Sequence, residues 1–146
     1  MHGTIIFINK VKVEEEDIKR IASEFIIKEI AYDRYKPTQI ILKLMDDRLT
    51  MIPFGQGFKD MSPPTKELFT LVLKNKIIHN MHPVLRWNFD NVCVETDAAE
   101  NIKPSKKRST ERIDGAVATV MALDRAIRNM NQNTSSVYDE RGIFVL

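Results

Sequence analysis

Apolar and polar positions along this 146-residue chain follow two different spacings. Short apolar runs rich in β-branched residues predict strands at residues 3–8, 26–32 and 49–53, and an alternating pattern predicts another at residues 91–97. Apolar residues three and four positions apart predict helices between these strands. Strands that alternate with helices indicate an α/β layer fold with a largely parallel or mixed sheet.

Four segments have the helical repeat. The first begins at Glu14 with acids that suit the helix dipole, and the second begins at Pro37. Pro63 and Pro64 open the third after a loop over residues 55–64, and Ser109 or Thr110 caps the fourth. The expected apolar faces are Ile18, Ile21, Ala22 and Phe25; Ile40, Ile41, Leu44 and Met45; Leu68, Leu71 and Val72; and Ile113, Ala116, Val117 and Val120.

The composition is that of one ordinary globular domain, with 43% hydrophobic and 29% charged residues. The single cysteine, Cys93, excludes internal disulfides and fits a reducing compartment. No run approaches the roughly 18 apolar residues that span a bilayer, and the N-terminus does not resemble a signal peptide. We therefore expect a soluble, cytoplasmic protein. The net charge of +2 is too small to indicate nucleic-acid binding, so the placement of charges must decide that question.

An acid follows the second predicted strand where that strand leaves the core. In KEIAYDRYKPTQI, Asp33 comes after the apolar residues and ahead of the helix that Pro37 opens. Ligands gather at the carboxyl ends of strands in open α/β sheets, so Asp33 is a candidate ligand-binding residue. A turn or capping aspartate is the alternative that its position leaves open.

Two further acids lie near the start of the fourth helix, in STERIDGAVATVMAL. Asp114 lies beside the apolar seam, and Gly115 would let this helix approach a neighbour closely and direct the Asp114 carboxylate toward the sheet. Glu111, three residues earlier, would lie on nearly the same face. The alternative is that both acids simply favour the helix N-terminus. Carboxylates that converge from separate elements need a cation to remain ionised together, and oxygen ligands suit Mg²⁺ or Mn²⁺.

Basic residues precede the same helix in IKPSKKRSTER. A basic run just ahead of metal-binding acids would meet the phosphates of DNA, and a solvated loop without a ligand is the alternative. The run contains Lys103, Lys106, Lys107, Arg108 and Arg112.

Four longer motifs form a recognisable pattern. They are IAYDRYKPTQII, PFGQGFKDMSPPTKEL, HPVLRWNFDNVCVETDAAENIKPSKKRSTERIDGAVATVMAL and the closing SVYDERG. In order and spacing they resemble the large terminase subunits of tailed bacteriophages across nearly the whole chain. Proteins of that family are DNA-packaging motors with an N-terminal ATPase and a C-terminal ribonuclease H-like nuclease that cuts concatemeric viral DNA. The resemblance is to the latter part of that nuclease domain.

The resemblance implies a ribonuclease H-like mixed sheet flanked by helices, with the activity of a Mg²⁺- or Mn²⁺-dependent DNA endonuclease. Asp33 matches the metal-binding acid at the end of the family's central strand, and Asp114 matches the metal-binding acid on its last helix. Glu111 falls where some relatives have an auxiliary ligand or base, which completes the expected catalytic set. The residues expected to contact DNA are Lys106, Lys107, Arg108 and Arg34.

The chain also departs from the family's pattern. No residue ahead of Asp33 matches the family's first catalytic aspartate, because MHGTIIFINKV contains no acid and residues 14–17 start a helix; nothing matches the ATPase. We expect an N-terminally truncated fold in which GTIIFI is an unprotected sheet edge. We also expect little or no DNA cutting by this chain alone, because Mg²⁺ tolerates poor octahedral geometry badly. Residues 1–130 would form a partial nuclease domain and residues 131–146 a C-terminal tail.

Three functions agree with these features. The first is part of a phage or prophage terminase nuclease that cleaves viral DNA in the host cytoplasm by two-metal phosphodiester hydrolysis. Its partners would be double-stranded DNA and, by resemblance, the portal, the small terminase subunit and a polypeptide carrying the missing strands, with no membrane. The second is a non-catalytic DNA- or portal-binding module or prophage remnant. The third, a ribonuclease H-like recombinase or junction nuclease, shares the fold and the acids but lacks support from the FGQGF and PVLRW motifs.

Overall fold

The computed structural model of the chain describes residues 6–8, 15–35, 39–78 and 82–134. Pro37 and the SVYDERG motif lie outside the described residues. The strands are β1 (Ile6–Ile8), β2 (Ile30–Asp33), β3 (Met51–Phe54), β4 (Val94–Thr96) and β5 (Ile102–Pro104). The helices are α1 (Glu15–Glu24), α2 (Gln39–Asp46), α3 (Phe58–Leu73), α4 (Pro83–Asp90) and α5 (Asp114–Thr134).

The described strands form two sheets rather than one. β1, β2 and β3 are parallel and lie in that order, with Asp33 aligned with Phe54. β4 and β5 form a separate antiparallel hairpin. Within the described ranges no strand pairs with the outer edge of β1, which agrees with the predicted edge position of GTIIFI. β4 pairs with its sequence neighbour β5 and does not join the parallel strands in the described part of the chain.

Two hydrophobic clusters cover the two faces of the parallel sheet. Ile30 and Ala31 belong to different clusters, because successive side chains of a strand point to opposite faces. Helices α1 and α2 cover one face, where the buried residues are Ile18, Ile30, Ile41, Leu44 and Met51. Helices α3 and α5 cover the other, where the buried residues include Ala31, Phe54, Met61, Leu68, Ile113, Ala116, Val117, Val120 and Met121.

The apolar face predicted for the last helix is confirmed, since Ile113, Ala116, Val117 and Val120 are each at most 2% exposed. The outer members of three other predicted faces are not core residues. Phe25, Met45 and Val72 are each more than half exposed. In those three helices only part of each predicted apolar face is therefore buried. A fully buried side chain of this kind contributes roughly 1.5–3 kcal/mol to stability.

Helix α3 begins earlier than predicted. It starts at Phe58 and contains both Pro63 and Pro64, which sequence analysis assigned to its first turn. Both prolines lie beyond the first turn, so the helix loses two backbone hydrogen bonds there. Met61, Leu68 and the ring of Pro64 are buried, and their packing offsets that loss.

Helix α5 is not capped by Ser109 or Thr110, because it begins at Asp114. The Ser109 hydroxyl donates to the Ser105 carbonyl at 2.8 Å and accepts from the Cys93 N–H at 3.0 Å. Thr110 donates to the Asn91 side-chain oxygen at 3.0 Å. Both side chains thus tie residues 105–110 to the chain around β4 and α4. In the described part of the chain, no helix is both long and apolar enough to cross a membrane.

Candidate functional site

Asp33 lies at the carboxyl end of β2, between β1 and β3. One of its carboxylate oxygens, Oδ1, accepts the backbone N–H of Tyr35 at 3.1 Å. This is the local bond of an aspartate that turns the chain, so the turn role left open by the sequence is present. It occupies one lone pair of a group that has about four, and the carboxylate retains the capacity to bind a cation.

Arg34 is held beside this turn. Its guanidinium forms an ion pair with Asp60 of α3 at 2.7 Å and lies 5.5 Å from the centre of the Tyr35 ring. Gly55 makes this pair possible, because a Cβ at that position would overlap both the guanidinium and the Asp60 carboxylate. The side chain of Arg34 is 48% exposed, so it remains reachable from solvent.

Asp114 is the first residue of α5, and its carboxylate lies 2.8 Å from the ammonium of Lys106. The predicted close approach at Gly115 is present, and the neighbour is α4. The Gly115 N–H donates to the Asn88 side-chain oxygen at 2.7 Å, and an added Cβ would lie 3.3 Å from Leu85 Cδ1. Asn88 therefore satisfies one of the N–H groups that a helix start leaves without an intrahelical acceptor.

Glu111 lies ahead of α5, not on it, so its predicted position on the same helical face as Asp114 is wrong. The two acids nevertheless line one cavity of about 470 Å³, together with Lys106 and residues between them. Asp33 is not among the residues that line this cavity. The structure thus brings Lys106, Glu111 and Asp114 together, while Asp33 lies at the edge of the sheet.

Three of the four predicted DNA-binding residues form a turn after β5, whereas the fourth, Arg34, follows β2. Lys106, Lys107 and Arg108 are exposed, and the Arg108 N–H donates to the Ser105 carbonyl at 3.2 Å. Lys106 and Lys107 also line a second cavity of about 300 Å³. Three cations on one exposed turn suit contact with a phosphate backbone.

Sequence analysis missed a polar pair in the β4–β5 hairpin that lines the second cavity. Glu95 is directly opposite Lys103 in the register, and their side chains meet at 2.9 Å. The other Glu95 oxygen accepts the hydroxyl of Ser105 at 2.8 Å. Hydrogen bonds from Lys103 and then from Ser105 hold the pKa of the Glu95 carboxyl below its usual value of 4.5. Glu95 and Lys103 carry opposite charges and lie at equal distances along the chain on either side of the DAAEN turn. That placement is the sequence signal that could have identified the pair.

The carboxyl edge of the sheet is linked to both α5 and the hairpin by Gln56. Its side-chain amide lies 3.9 Å from the sulfur of Met121, and its carbonyl oxygen lies 3.5 Å from the Lys103 ammonium. Gln56 follows Phe54, the residue aligned with Asp33, by two positions. The loop after β3 is therefore the connection between the Asp33 edge and the basic residues.

The donor atoms suit a divalent cation only in part. Carboxylate oxygens are what Mg²⁺ and Mn²⁺ prefer. Among the described residues, no group of three or more acids, histidines or cysteines could hold a metal ion together. Asp33 and Asp114 are thus at most part of a complete ligand set.

A layered α/β structure with one acid at the carboxyl end of the middle parallel strand and another at the start of the last helix has the arrangement of a ribonuclease H-like nuclease domain. Residues 5–130 match the family model described as terminase large subunit, endonuclease domain. The chain belongs to that family, as the sequence motifs predict.

Individual relatives agree with this assignment. The chain is 39% identical over 112 residues to the terminase large subunit of Enterobacteria phage HK97, a match that covers 75% of this chain and 22% of that protein. It is 30% identical over 116 residues to protein YmfN of Escherichia coli strain K12, covering 78% of this chain and 26% of that protein.

A solved structure supports the fold. The crystal structure of the HK97 bacteriophage large terminase superposes with a TM-score of 0.70 at 38% identity, over 76% of this chain and 24% of that one. The predicted α/β, ribonuclease H-like fold class is confirmed. The chain spans about a quarter of the length of these relatives.

Proposed function

We propose that this chain supplies the later part of a terminase nuclease that cleaves viral DNA during genome packaging. The observation that carries the proposal is the match of residues 5–130 to the terminase endonuclease domain, because that range includes Asp33, Glu111 and Asp114. The expected partners are double-stranded DNA and, in the assembled machine, the portal and the small terminase subunit. Full activity would need further metal ligands, which a partner polypeptide would supply, because the described residues do not bring together a complete set.

Each residue has a distinct part in this proposal. Asp33 and Asp114 bind Mg²⁺ or Mn²⁺, and an ion held there would activate water and stabilise the leaving oxygen of a phosphodiester. Glu111, which shares a cavity with Asp114, acts as an auxiliary ligand or base. The turn at Lys106, Lys107 and Arg108 steers the duplex toward these acids. Arg34 has a secondary role in DNA contact, since its guanidinium is paired with Asp60.

Metal binding tests the proposal directly. We expect Mn²⁺ to raise the unfolding temperature of the chain, because an ion that binds only the native state stabilises it by mass action. Asp33→Asn and Asp114→Asn should each remove most of that shift, measured by differential scanning fluorimetry against each variant's own value in EDTA. Asp90→Asn is the matched control, since Asp90 is 69% exposed on α4. Equal Mn²⁺ shifts in all three variants would contradict the assignment.

Cleavage is the second readout. With supercoiled plasmid and Mn²⁺ we expect little or no nicking by this chain alone, because the described residues do not bring together a complete set of metal ligands. Robust nicking that Asp33→Asn abolishes would support the proposed chemistry and would contradict the expectation that the chain needs a second polypeptide.

A non-catalytic DNA- or portal-binding module is the second candidate. The observation that favours it is the Lys106–Asp114 ion pair, which balances the charge of Asp114 without any metal. Such a module would show no Mn²⁺-dependent stabilisation, and Asp33→Ala would leave its affinity for duplex DNA unchanged or stronger. The same two measurements therefore separate the candidates.

A further inference from the structure

Lys103 is held differently from the other lysines of the basic run. Its ammonium contacts three separate elements: Glu95 Oε1 on β4 at 2.9 Å, the Gln56 carbonyl after β3 at 3.5 Å, and the ring of Phe58 on α3, with 5.0 Å to the ring centre. Its side chain is only 23% exposed, whereas that of Lys106 is 41% exposed. The position of the Lys103 charge is therefore determined by the fold.

The partner of Lys103 is itself fixed. Glu95 uses one carboxylate oxygen for Lys103 and the other for Ser105, which is 3% exposed. The hydrogen bonds from Lys103 and Ser105 favour the ionised carboxylate and hold the pKa of Glu95 below its usual value. A side chain immobilised in this way loses less rotational freedom when it binds a ligand.

The cavity beside this pair carries excess positive charge. It has a volume of about 300 Å³ and is lined by three lysines and a single carboxylate, together with a few polar and apolar groups. The charged residues are Lys103, Lys106, Lys107 and Glu95. An anionic group that enters this cavity would meet the ammonium groups of both the hairpin and the turn.

We propose that the cavity binds one backbone phosphate of duplex DNA, with Lys103 as the donor and Glu95 as the residue that positions it. An ammonium has three N–H donors, and Glu95 and the Gln56 carbonyl take two of them, which leaves the third for a phosphate oxygen. The proposal rests on the proposed function, because it assumes that the ligand is DNA. The proposed site is a defined contact with one phosphate, in addition to the general electrostatic attraction of DNA by the exposed lysines.

Binding of a mixed-sequence duplex oligonucleotide in EDTA, followed by fluorescence anisotropy over a range of salt concentrations, tests this site. Lys103→Gln should weaken binding several-fold and lower the slope of log affinity against log salt by about one, as expected for one lost phosphate contact. Lys74→Gln is the control, since it removes the same charge from an exposed lysine at the end of α3. The control should change the affinity by less than about twofold, within the error expected for a remote surface charge.

Glu95→Ala tests whether Glu95 positions the Lys103 ammonium or only lowers the net positive charge of the cavity. Removing an acid next to the cavity raises its positive charge, so electrostatics alone would tighten DNA binding. The proposal requires weaker binding, because the Lys103 ammonium loses its fixed position. Thermal unfolding of each variant in EDTA establishes that it is folded, and Glu95→Gln, which retains an oxygen acceptor, should restore most of the affinity.

The proposal is overturned if Lys103→Gln matches Lys74→Gln in affinity and salt slope, if Glu95→Ala tightens binding, or if the chain does not bind the duplex. The first two outcomes leave the proposed function intact, whereas a chain that does not bind the duplex would count against both proposals. The loss of the Mn²⁺ shift in Asp33→Asn is measured without DNA, so it can stand when the phosphate site fails.

Discussion

Single residues around the carboxyl edge of the sheet determine how the candidate site is held. Arg34 directly follows Asp33 and pairs with Asp60 across the space that Gly55 leaves open. The ion pair ties the turn after β2 to the first turn of α3. Gly55 thus acts through the room it provides, not through an unusual backbone conformation, since no glycine in the described ranges has a positive φ.

Gly55→Ala tests this arrangement. The added methyl would displace the ends of two flexible side chains, so we expect Arg34 and Asp60 to separate and the free energy of unfolding to fall by about 1 kcal/mol, in the range of an exposed ion pair. Urea unfolding measures the change. Gly57→Ala is a matched control, because an added Cβ there meets nothing within 4 Å. Equal losses in both variants, or none in either, would contradict the role of Gly55.

The positions of Asp33 at the end of β2 and Asp114 at the start of α5 were predictable from local sequence patterns. Asp33 and Asp114 stand out in the sequence because each is an acid at the end of an apolar segment. Glu95 and Lys103 do not end an apolar segment, and their pairing shows only when the hairpin register is considered, since each of its strands has just three residues. An isolated short strand in a polar stretch has no periodicity to detect.

At the scale of elements, α4 and β5 were not predicted, and two of the predicted helices start elsewhere than expected. Prolines predicted the start of α3 too late, because packing of the helix interior outweighs the two missing hydrogen bonds. Ser109 and Thr110 predicted the start of α5 too early, because their hydroxyls bond to other residues. A capping residue supplied by a different helix, as Asn88 is for α5, leaves no signal in the sequence near the helix start.

Asn88→Ala should therefore destabilise α5 from a distance. Asn88 is 5% exposed, and its loss leaves the Gly115 N–H without its acceptor in a half-buried position. We expect the free energy of unfolding to fall by about 1–3 kcal/mol, the usual effect of an unsatisfied buried donor. Hydrogen exchange should show faster exchange at Gly115 than at Val120 in the same helix. An unchanged exchange rate at Gly115 would show that Asn88 does not cap the helix.

At the scale of the whole molecule, the middle of α5 is tied to the residue just before the central strand, β2. Arg125 and Glu29 are separated by 96 positions and meet at 2.7 Å, with both side chains 14% exposed. The bond from Arg125 holds the pKa of Glu29 below its usual value of 4.5. The contact joins elements from opposite ends of the described chain, so its strength contributes to global stability.

This contact predicts a pH dependence with a definite sign. Because the pKa of Glu29 is lower in the folded state, its contribution is complete at neutral pH and is lost as the pH falls below about 4.5. Glu29→Gln should lower the free energy of unfolding by about 1–2 kcal/mol at neutral pH and by less in acid, so its stability profile is flatter than that of the parent chain. Urea unfolding at several pH values measures both. Glu16→Gln, on the exposed side of α1, is the control. Parallel profiles for the parent chain and Glu29→Gln would refute the assignment.

If Asp114 binds a divalent ion and Lys106 a phosphate, as proposed, the contact between them would make each binding event depend on the other. A divalent ion that replaces the ammonium at Asp114 releases Lys106 toward an incoming phosphate, and a phosphate that draws Lys106 away opens Asp114 to an ion. Thermodynamic reciprocity then requires nucleic acid to raise the affinity for the ion by the same factor as the ion raises the affinity for nucleic acid. Such a domain would have a low affinity for either ligand alone. It would bind the metal ion mainly when nucleic acid is already bound.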